Sequence, residues 1–289
     1  MRKTVPLLLD TDVGDDVDDA YAIVFAALHP ALDLRAVTTV HGNTQHKARL
    51  AAKLLRMTGR TDVPVGAGPV HTPAQDCQAP FIRETDPEHR KQYPEALPLW
   101  RKTFAENAVA LVTIGPTTNA GRYFAEPRSL PAPSCIATMA GEQRTRIPEY
   151  NVRSDPAAFR TMLAAARPLF QGAYTPTKKV MLSVSDVDNL RNSGLAHNQA
   201  LAELTDLWWP HRADKTGPVL YDVCPLVWLF APERFQTHWA HVAVETEDGP
   251  SLGRTYELSG PPNAEVCDDL DAEAIRTIVL ETLLGTPKA

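Results

Sequence analysis

The sequence predicts an α/β fold with an open, mostly parallel central sheet flanked by helices. Short apolar runs alternate with helix-period segments, and such alternation implies parallel strands joined by crossover helices. The length, 289 residues, suits one large α/β domain over 1–289, although about 150 residues per domain would allow two. The composition, 44% hydrophobic and 22% charged, is that of a globular chain rather than a disordered one.

Val5 to Leu9 reads as a buried strand, and Ala20 to Leu28 as the start of a helix with apolar residues on several faces. Leu32 to Val40 is a second strand, ending in the β-branched run Val37-Thr38-Thr39-Val40. Thr44 to Met57 is a helix, with Gly59 where a C-terminal cap belongs. Val63–Val65, Ala108–Ile114 and Cys135–Met139 give the third, fourth and fifth strands. Asp155-Pro156 opens a helix as N-cap and first-turn proline, running to about Ala166. Val180 to Val184 reads as a sixth strand. The stretch from Gly66 to Pro98 holds six prolines and reads as a long loop, of the length that usually serves a site.

Lys+Arg 29 against Asp+Glu 35 leaves a net charge of -6, which disfavours a nucleic-acid partner. No apolar run approaches the ~18 residues of a membrane span, and the apolar start ends at Asp10, too short for a signal peptide. Cys77, Cys135, Cys224 and Cys267 lie far apart without a CxxC, against zinc or a disulfide framework. The expectation is a cytoplasmic protein acting on small molecules.

The chemistry is concentrated after the first strand. Residues 10–19 read Asp-Thr-Asp-Val-Gly-Asp-Asp-Val-Asp-Asp, six carboxylates in ten positions. Like charges at that density raise one another's pKa unless a cation or hydrogen-bond donors compensate. Oxygen-rich clusters are what Ca²⁺ and Mg²⁺ require. A helix cap alone needs one or two aspartates, not six. The EF-hand pattern fails, because counting from Asp10 puts Asp15 and Tyr21 where it needs Gly and Glu. Asp12, Asn43, Ile114 and Glu149 each fall just past a strand or strand-like segment, so a parallel sheet would gather them on one edge.

The run from Asp10 to Ala20 resembles the Asp-x-Asp-x-Gly-x-Asp-Asp-Ala signature of the nucleoside hydrolases, the inosine–uridine-preferring N-ribohydrolase family. This copy is two residues longer between Gly14 and Asp18-Asp19-Ala20. Further segments resemble the family in order: Thr38-Thr39-Val40-His41-Gly42-Asn43, Val63 to Gly68, and Leu111 to Asn119. Glu149-Tyr150-Asn151 with Asp155-Pro156-Ala157-Ala158, Tyr221-Asp222 and Gly253-Arg254-Thr255 follow, so the likeness covers about Leu7 to Leu284.

The resemblance implies a Ca²⁺ ion held by Asp12, Asp19, Asp222 and the carbonyl of Ile114, engaging the ribose 2′ and 3′ hydroxyls and a water. It implies Asp12 as general base, with Asp18, Asn43, Glu149 and Asn151 around the ribose, and a homo-oligomer, dimer or tetramer. Two positions depart from the pattern. Tyr221 stands where many members have a His that helps the base leave. Counting six residues back from Glu149 reaches Gln143 instead of the Asn that contacts the 5′-hydroxyl. With a tyrosine there, the leaving group is either a good one or is assisted from the Gly66–Pro98 loop, which carries His71 and His89. Trp208, Trp209 and Trp228 read as core aromatics. Two alternatives stay open: an Asp/Mg²⁺ phosphatase of haloacid-dehalogenase type, against which Gly14 counts, and a non-catalytic ribose- or metal-binding relative.

Overall fold

The computed structural model describes residues 4–70, 76–106, 108–127, 130–165, 167–212 and 216–285. Its strands are β1 Val5–Thr11, β2 Leu32–Thr39, β3 Val65–Ala67, β4 Ala110–Thr113, β5 Ile136–Met139, β6 Leu169–Gly172, β7 Phe235–Val244, β8 Thr255–Leu258 and β9 Ala264–Leu270. The helices through the middle of the chain are α1 Asp18–Leu28, α2 Thr44–Met57, α3 Ala96–Phe104, α4 Thr118–Phe124, α5 Tyr150–Ser154 and α6 Pro156–Leu163. The rest are α7 Tyr174–Thr177, α8 Val184–Asn192, α9 Ala196–Trp208, α10 Val223–Trp228 and α11 Ala272–Leu283.

The strands form one sheet in the order β3-β2-β1-β4-β5-β6-β9-β7-β8. Every pair from β3 to β9 is parallel, and only β7 and β8 run antiparallel to their neighbours. The order reverses between β2-β1 and β4, which makes the gap beyond the ends of β1 and β4 the switch point where such sheets bind ligands.

Side chains on a strand point alternately to the two faces, and here both faces are buried. Leu7 and Leu9 of β1 join one core with residues of α1, α2, α9, α10 and α11, while Leu8 joins the opposite core with α3, α4 and α6. Ala110 and Val112 of β4 go with the first core and Leu111 with the second. Continuous apolar runs are therefore the correct signature of these central strands.

Two expectations need correction. The sixth strand is Leu169–Gly172, which pairs with β5 and β9. Val180–Val184 is not a sheet strand: Met181 makes a single bridge to Val219, and α8 begins at Val184. The span Gly66–Pro98 is also less irregular than expected. Gly66 lies inside β3, a helical turn covers Ala79–Phe81, and Pro98 belongs to α3. The helix opened by Asp155 ends at Leu163, with the Asp155 carboxylate accepting from the Ala158 N–H as expected.

Candidate active site

At the switch point the chain leaves β1 at Thr11 and enters an acid loop before α1. Gly14 permits this turn: its φ is +120°, and an added Cβ would stand 2.9 Å from Asp76 Oδ1 and 3.0 Å from Leu50 Cδ1. The loop returns its carboxylates to the strand end. Thr11 Oγ1 donates to Asp19 Oδ1 at 2.5 Å, and the Asp12 N–H donates to the same oxygen at 3.2 Å. Asp18 and Asp19 occupy the first turn of α1, where the helix dipole favours negative charge. Asp222 reaches them from the start of α10, its N–H donating to Asp18 Oδ2 at 3.2 Å.

Asp18, Asp19 and Asp222 are buried, and each offers a carboxylate oxygen within 4.8 Å of the others. Burial pushes all three carboxyls well above the ordinary aspartate range, and repulsion from neighbouring aspartates pushes them further. Burial likewise raises Asp12, opposed by the charge of Lys47. The donors are all hard oxygens, with neither thiol nor imidazole among them, so the set fits a hard divalent cation. One cavity of about 320 Å³ holds Asp12, Asp18, Asp19, Asp222, Ile114, Glu149, Asn151 and Tyr221 together.

Asp12 is pinned closely beneath the β4 turn. A Cβ on Gly115 would come 2.5 Å from Asp12 Oδ1, so only glycine lets the turn approach. Asn151 Nδ2 donates to the carbonyls of Ile114 at 3.2 Å and Met139 at 3.1 Å, tying β4 to β5. Glu149 caps α5: Oε1 accepts from the Asn151 N–H at 2.8 Å, and Oε2 from Gly141 and Val152 at 2.9 and 3.1 Å. Burial raises its carboxyl, against those three donors. Both residues are thereby fixed in place before any ligand arrives.

Not every expected residue reaches the cavity. Asn43 is exposed and caps α2, its Oδ1 accepting from the His46 N–H at 3.1 Å, and it does not line the cavity. His89 lies in a turn closed by its N–H to the Asp86 carbonyl, and it too is absent from the lining. His71 falls outside the described residues. Gln143 lines two other surface cavities instead of this one.

The lining also includes Tyr150, Tyr174, His211 and Arg212. Tyr221 stacks on Tyr174 with ring centroids 5.4 Å apart, and Trp208 at the end of α9 lines the cavity together with His211 and Arg212 from the turn after it. The Arg212 guanidinium sits over the Trp208 ring, 5.1 Å from its centre. Trp208 thus serves the cavity as well as the core, whereas Trp228 stacks on Phe170 as a core aromatic should. Tyr150 lines the opposite side and donates to Asp15 Oδ2 at 3.4 Å. A further carboxylate, Asp10, is structural: Oδ1 accepts from Thr38 Oγ1 at 2.6 Å and from Asn119 Nδ2 at 2.8 Å, below the cavity.

A doubly covered parallel sheet with buried carboxylates converging at its switch point defines an α/β enzyme that works with acid groups on a small polar ligand. The model of the inosine-uridine preferring nucleoside hydrolases matches residues 7–277. The chain is 31% identical to the pyrimidine-specific ribonucleoside hydrolase RihA of Escherichia coli O7:K1, over 96% of this chain and 98% of that one. Among solved structures, a plant nucleoside hydrolase, PpNRh1, superposes with a TM-score of 0.84 at 22% identity, covering 99% of this chain and 100% of its own. A purine-preferring ribonucleoside hydrolase from Gardnerella vaginalis gives 0.83 at 20%, covering 97% and 98%; at such identities the likeness speaks for the fold.

The chain belongs to the inosine-uridine preferring nucleoside hydrolase family. It is an enzyme that splits a ribonucleoside into base and ribose. The phosphatase and non-catalytic alternatives are set aside by that membership.

Proposed function

We propose that the protein is a Ca²⁺-dependent ribonucleoside N-ribohydrolase, with 1–289 acting as one catalytic unit and Asp12 as its general base. The observation that carries the reading is one cavity in which Asp12 stands beside the buried Asp18–Asp19–Asp222 cluster. Asp19, Asp222, Asp12 and the Ile114 carbonyl would hold the ion, with Asp18 either joining them or facing the ribose. Bound there, the ion supplies a hard positive charge that acidifies water and grips vicinal hydroxyls.

The residues perform the rest. Asp12 takes a proton from the water that adds to C1′, while the C1′–N bond breaks and its electron pair leaves with the base. The sugar passes through an oxocarbenium-like state, as in other glycoside hydrolyses. Glu149 and the Asn151 side-chain carbonyl, held by their own hydrogen bonds, stabilise the developing positive charge without having to reorganise. On the base side, Trp208 and the Tyr174–Tyr221 pair offer flat apolar faces, and His211 and Arg212 offer donors. Of His89 and His211, His211 lines the cavity and His89 does not, so His211 takes the place of His89 as the imidazole offered on the base side.

The four cysteines are free, which supports a reducing, cytoplasmic setting. Among the described residues no helix is long and apolar enough to cross a membrane. Trp239 and Leu258 are 58% and 52% exposed on the outermost strand pair, which supports a homo-oligomer. The test is a panel of purine and pyrimidine nucleosides, incubated with Ca²⁺, with Mg²⁺ or with chelator, and scored for free base. Release with Ca²⁺ that stops on chelation is expected; equal release in excess chelator overturns the metal assignment.

A further inference from the structure

A buried lysine stands behind the acid loop. Lys47 of α2 is wholly buried, 0% exposed, and its ammonium donates to the main-chain carbonyl of Asp12. Among the described residues it makes no direct ion pair with a carboxylate; its charge acts through space on Asp12, Asp15, Asp19 and Asp76. Burying an ammonium is costly unless the surroundings are strongly negative. The helix makes the placement unavoidable, because Lys47 shares one face with Leu50, Ala51 and Leu54, all buried against the sheet.

We propose that Lys47 is a positioning residue with two coupled effects: it clamps the Asp12 carbonyl so that the Asp12 carboxylate points into the cavity, and it cancels part of the cluster's charge. The inference rests on the reading of Asp12 as base and of the cluster as a cation site. Lys47 never touches the substrate. It holds the loop together when no ion is bound, and it weakens the grip on an ion when one is. The two effects pull in opposite directions, which gives the proposal a signature that a packing role lacks.

The decisive experiment is calorimetric titration of CaCl₂ into metal-free wild type, Lys47→Met and Lys47→Gln, with kcat measured alongside. Loss of the buried charge that acts on Asp12 and Asp19 should tighten Ca²⁺ binding by about tenfold or more in both variants. Lys47→Met, which also loses the clamp, should lower kcat by at least about tenfold, and Lys47→Gln, whose amide can still donate, by less. Folded variants that bind Ca²⁺ equally or more weakly overturn the proposal. A second measurement needs no metal: thermal melting of the metal-free protein with Asp19→Asn placed in wild type and in each Lys47 variant. Asp19→Asn should raise the melting temperature more where Lys47 is gone. Simple additivity overturns the charge-balancing role even if wild type binds no Ca²⁺, whereas a wild type without Ca²⁺ binding but with coupled melting overturns only the calcium reading. If Lys47→Met does not fold, Lys47→Gln carries both tests.

Discussion

Asp12 is defined less by its own carboxyl than by what surrounds it: Gly115 close above, Lys47 on its carbonyl, and its N–H held by Asp19. Asp12→Asn should keep these main-chain ties and lose the base. The expected result is a fall in kcat of about 10³-fold or more, on the scale of general-base catalysis, with a melting temperature close to wild type. Steady-state kinetics and a thermal melt check this together, and undiminished turnover would remove Asp12 from the role. Tyr221 is the opposite case. Burial, with the adjoining Tyr174, pushes its hydroxyl still further above the ordinary tyrosine range, so it is a poorer acid than a free phenol. Tyr221→Phe should therefore cost less than about tenfold in kcat on a nucleoside, the scale of one neutral hydrogen bond. A thousandfold loss would make Tyr221 the proton donor to the base. Lys47 was legible in principle, since a lysine three and four residues before Leu50 and Ala51 interrupts an apolar stripe.

Elements with a strong period or a chemical cap were readable from sequence. The α2 boundaries, Thr44 and Met57, are as expected, with Gly59 at φ +80° just past the end. One short apolar run, Val180–Val184, misled the strand assignment. Leu169-Phe170-Gln171-Gly172 is four residues with a polar and a glycine, while Val180–Val184 has more β-branched character yet finds only Val219 as a partner. Strand identity there is set by the neighbour, which lies elsewhere in the chain. Helix α8 provides a test at this scale. Its capping box joins Ser183 and Asp186, and Arg276 of α11 donates two bonds of 2.7 Å from Nη2 to the Asp186 carboxylate. Burial alone would raise this carboxyl, but the bonds from Arg276 and Ser183 hold it below the ordinary aspartate value of 3.8. A lowered pKa stabilises the fold above the unfolded-state value, and that contribution is lost as pH falls through the folded-state value. Wild type should thus exceed Asp186→Asn in stability by a constant margin above about pH 5, with the margin shrinking below about pH 4. Urea unfolding across pH 3–7 would measure it, and a margin that grows in acid would contradict the assignment.

At the scale of the molecule, the sheet edge expected to gather Asp12, Asn43, Ile114 and Glu149 brings Asp12, Ile114 and Glu149 into one crevice at the ends of β1, β4 and β5, while Asn43 stays outside it as the α2 cap. What could not be read is the contribution of chain that arrives from outside the sheet. Trp208 ends α9, and His211 and Arg212 follow in the turn after it; their placement depends on how α9 packs on α1 and α2, which no local pattern encodes. Burial and mutual repulsion raise the carboxyls of the cluster, so a cation bound there only by the folded state would stabilise it. Millimolar Ca²⁺ should raise the melting temperature of chelator-treated protein by several degrees, reversibly, and Asp222→Ala should abolish most of the shift. A shift unchanged in Asp222→Ala would place the ion elsewhere.

The hydrogen bond between Asp222 and Asp18 joins positions 204 residues apart. That separation sets an order of assembly. A ribosome that has released β1, α1, α2 and β4 has already made Asp12, the acid loop and Lys47, but the cluster still lacks its third carboxylate and the cavity its Tyr221 wall. Contacts so distant in sequence close late, after the loop entropy between them has been lost. The third carboxylate comes late in translation, and a chain cut short before Asp222 also lacks α10 and α11, which pack on α1 behind the acid loop.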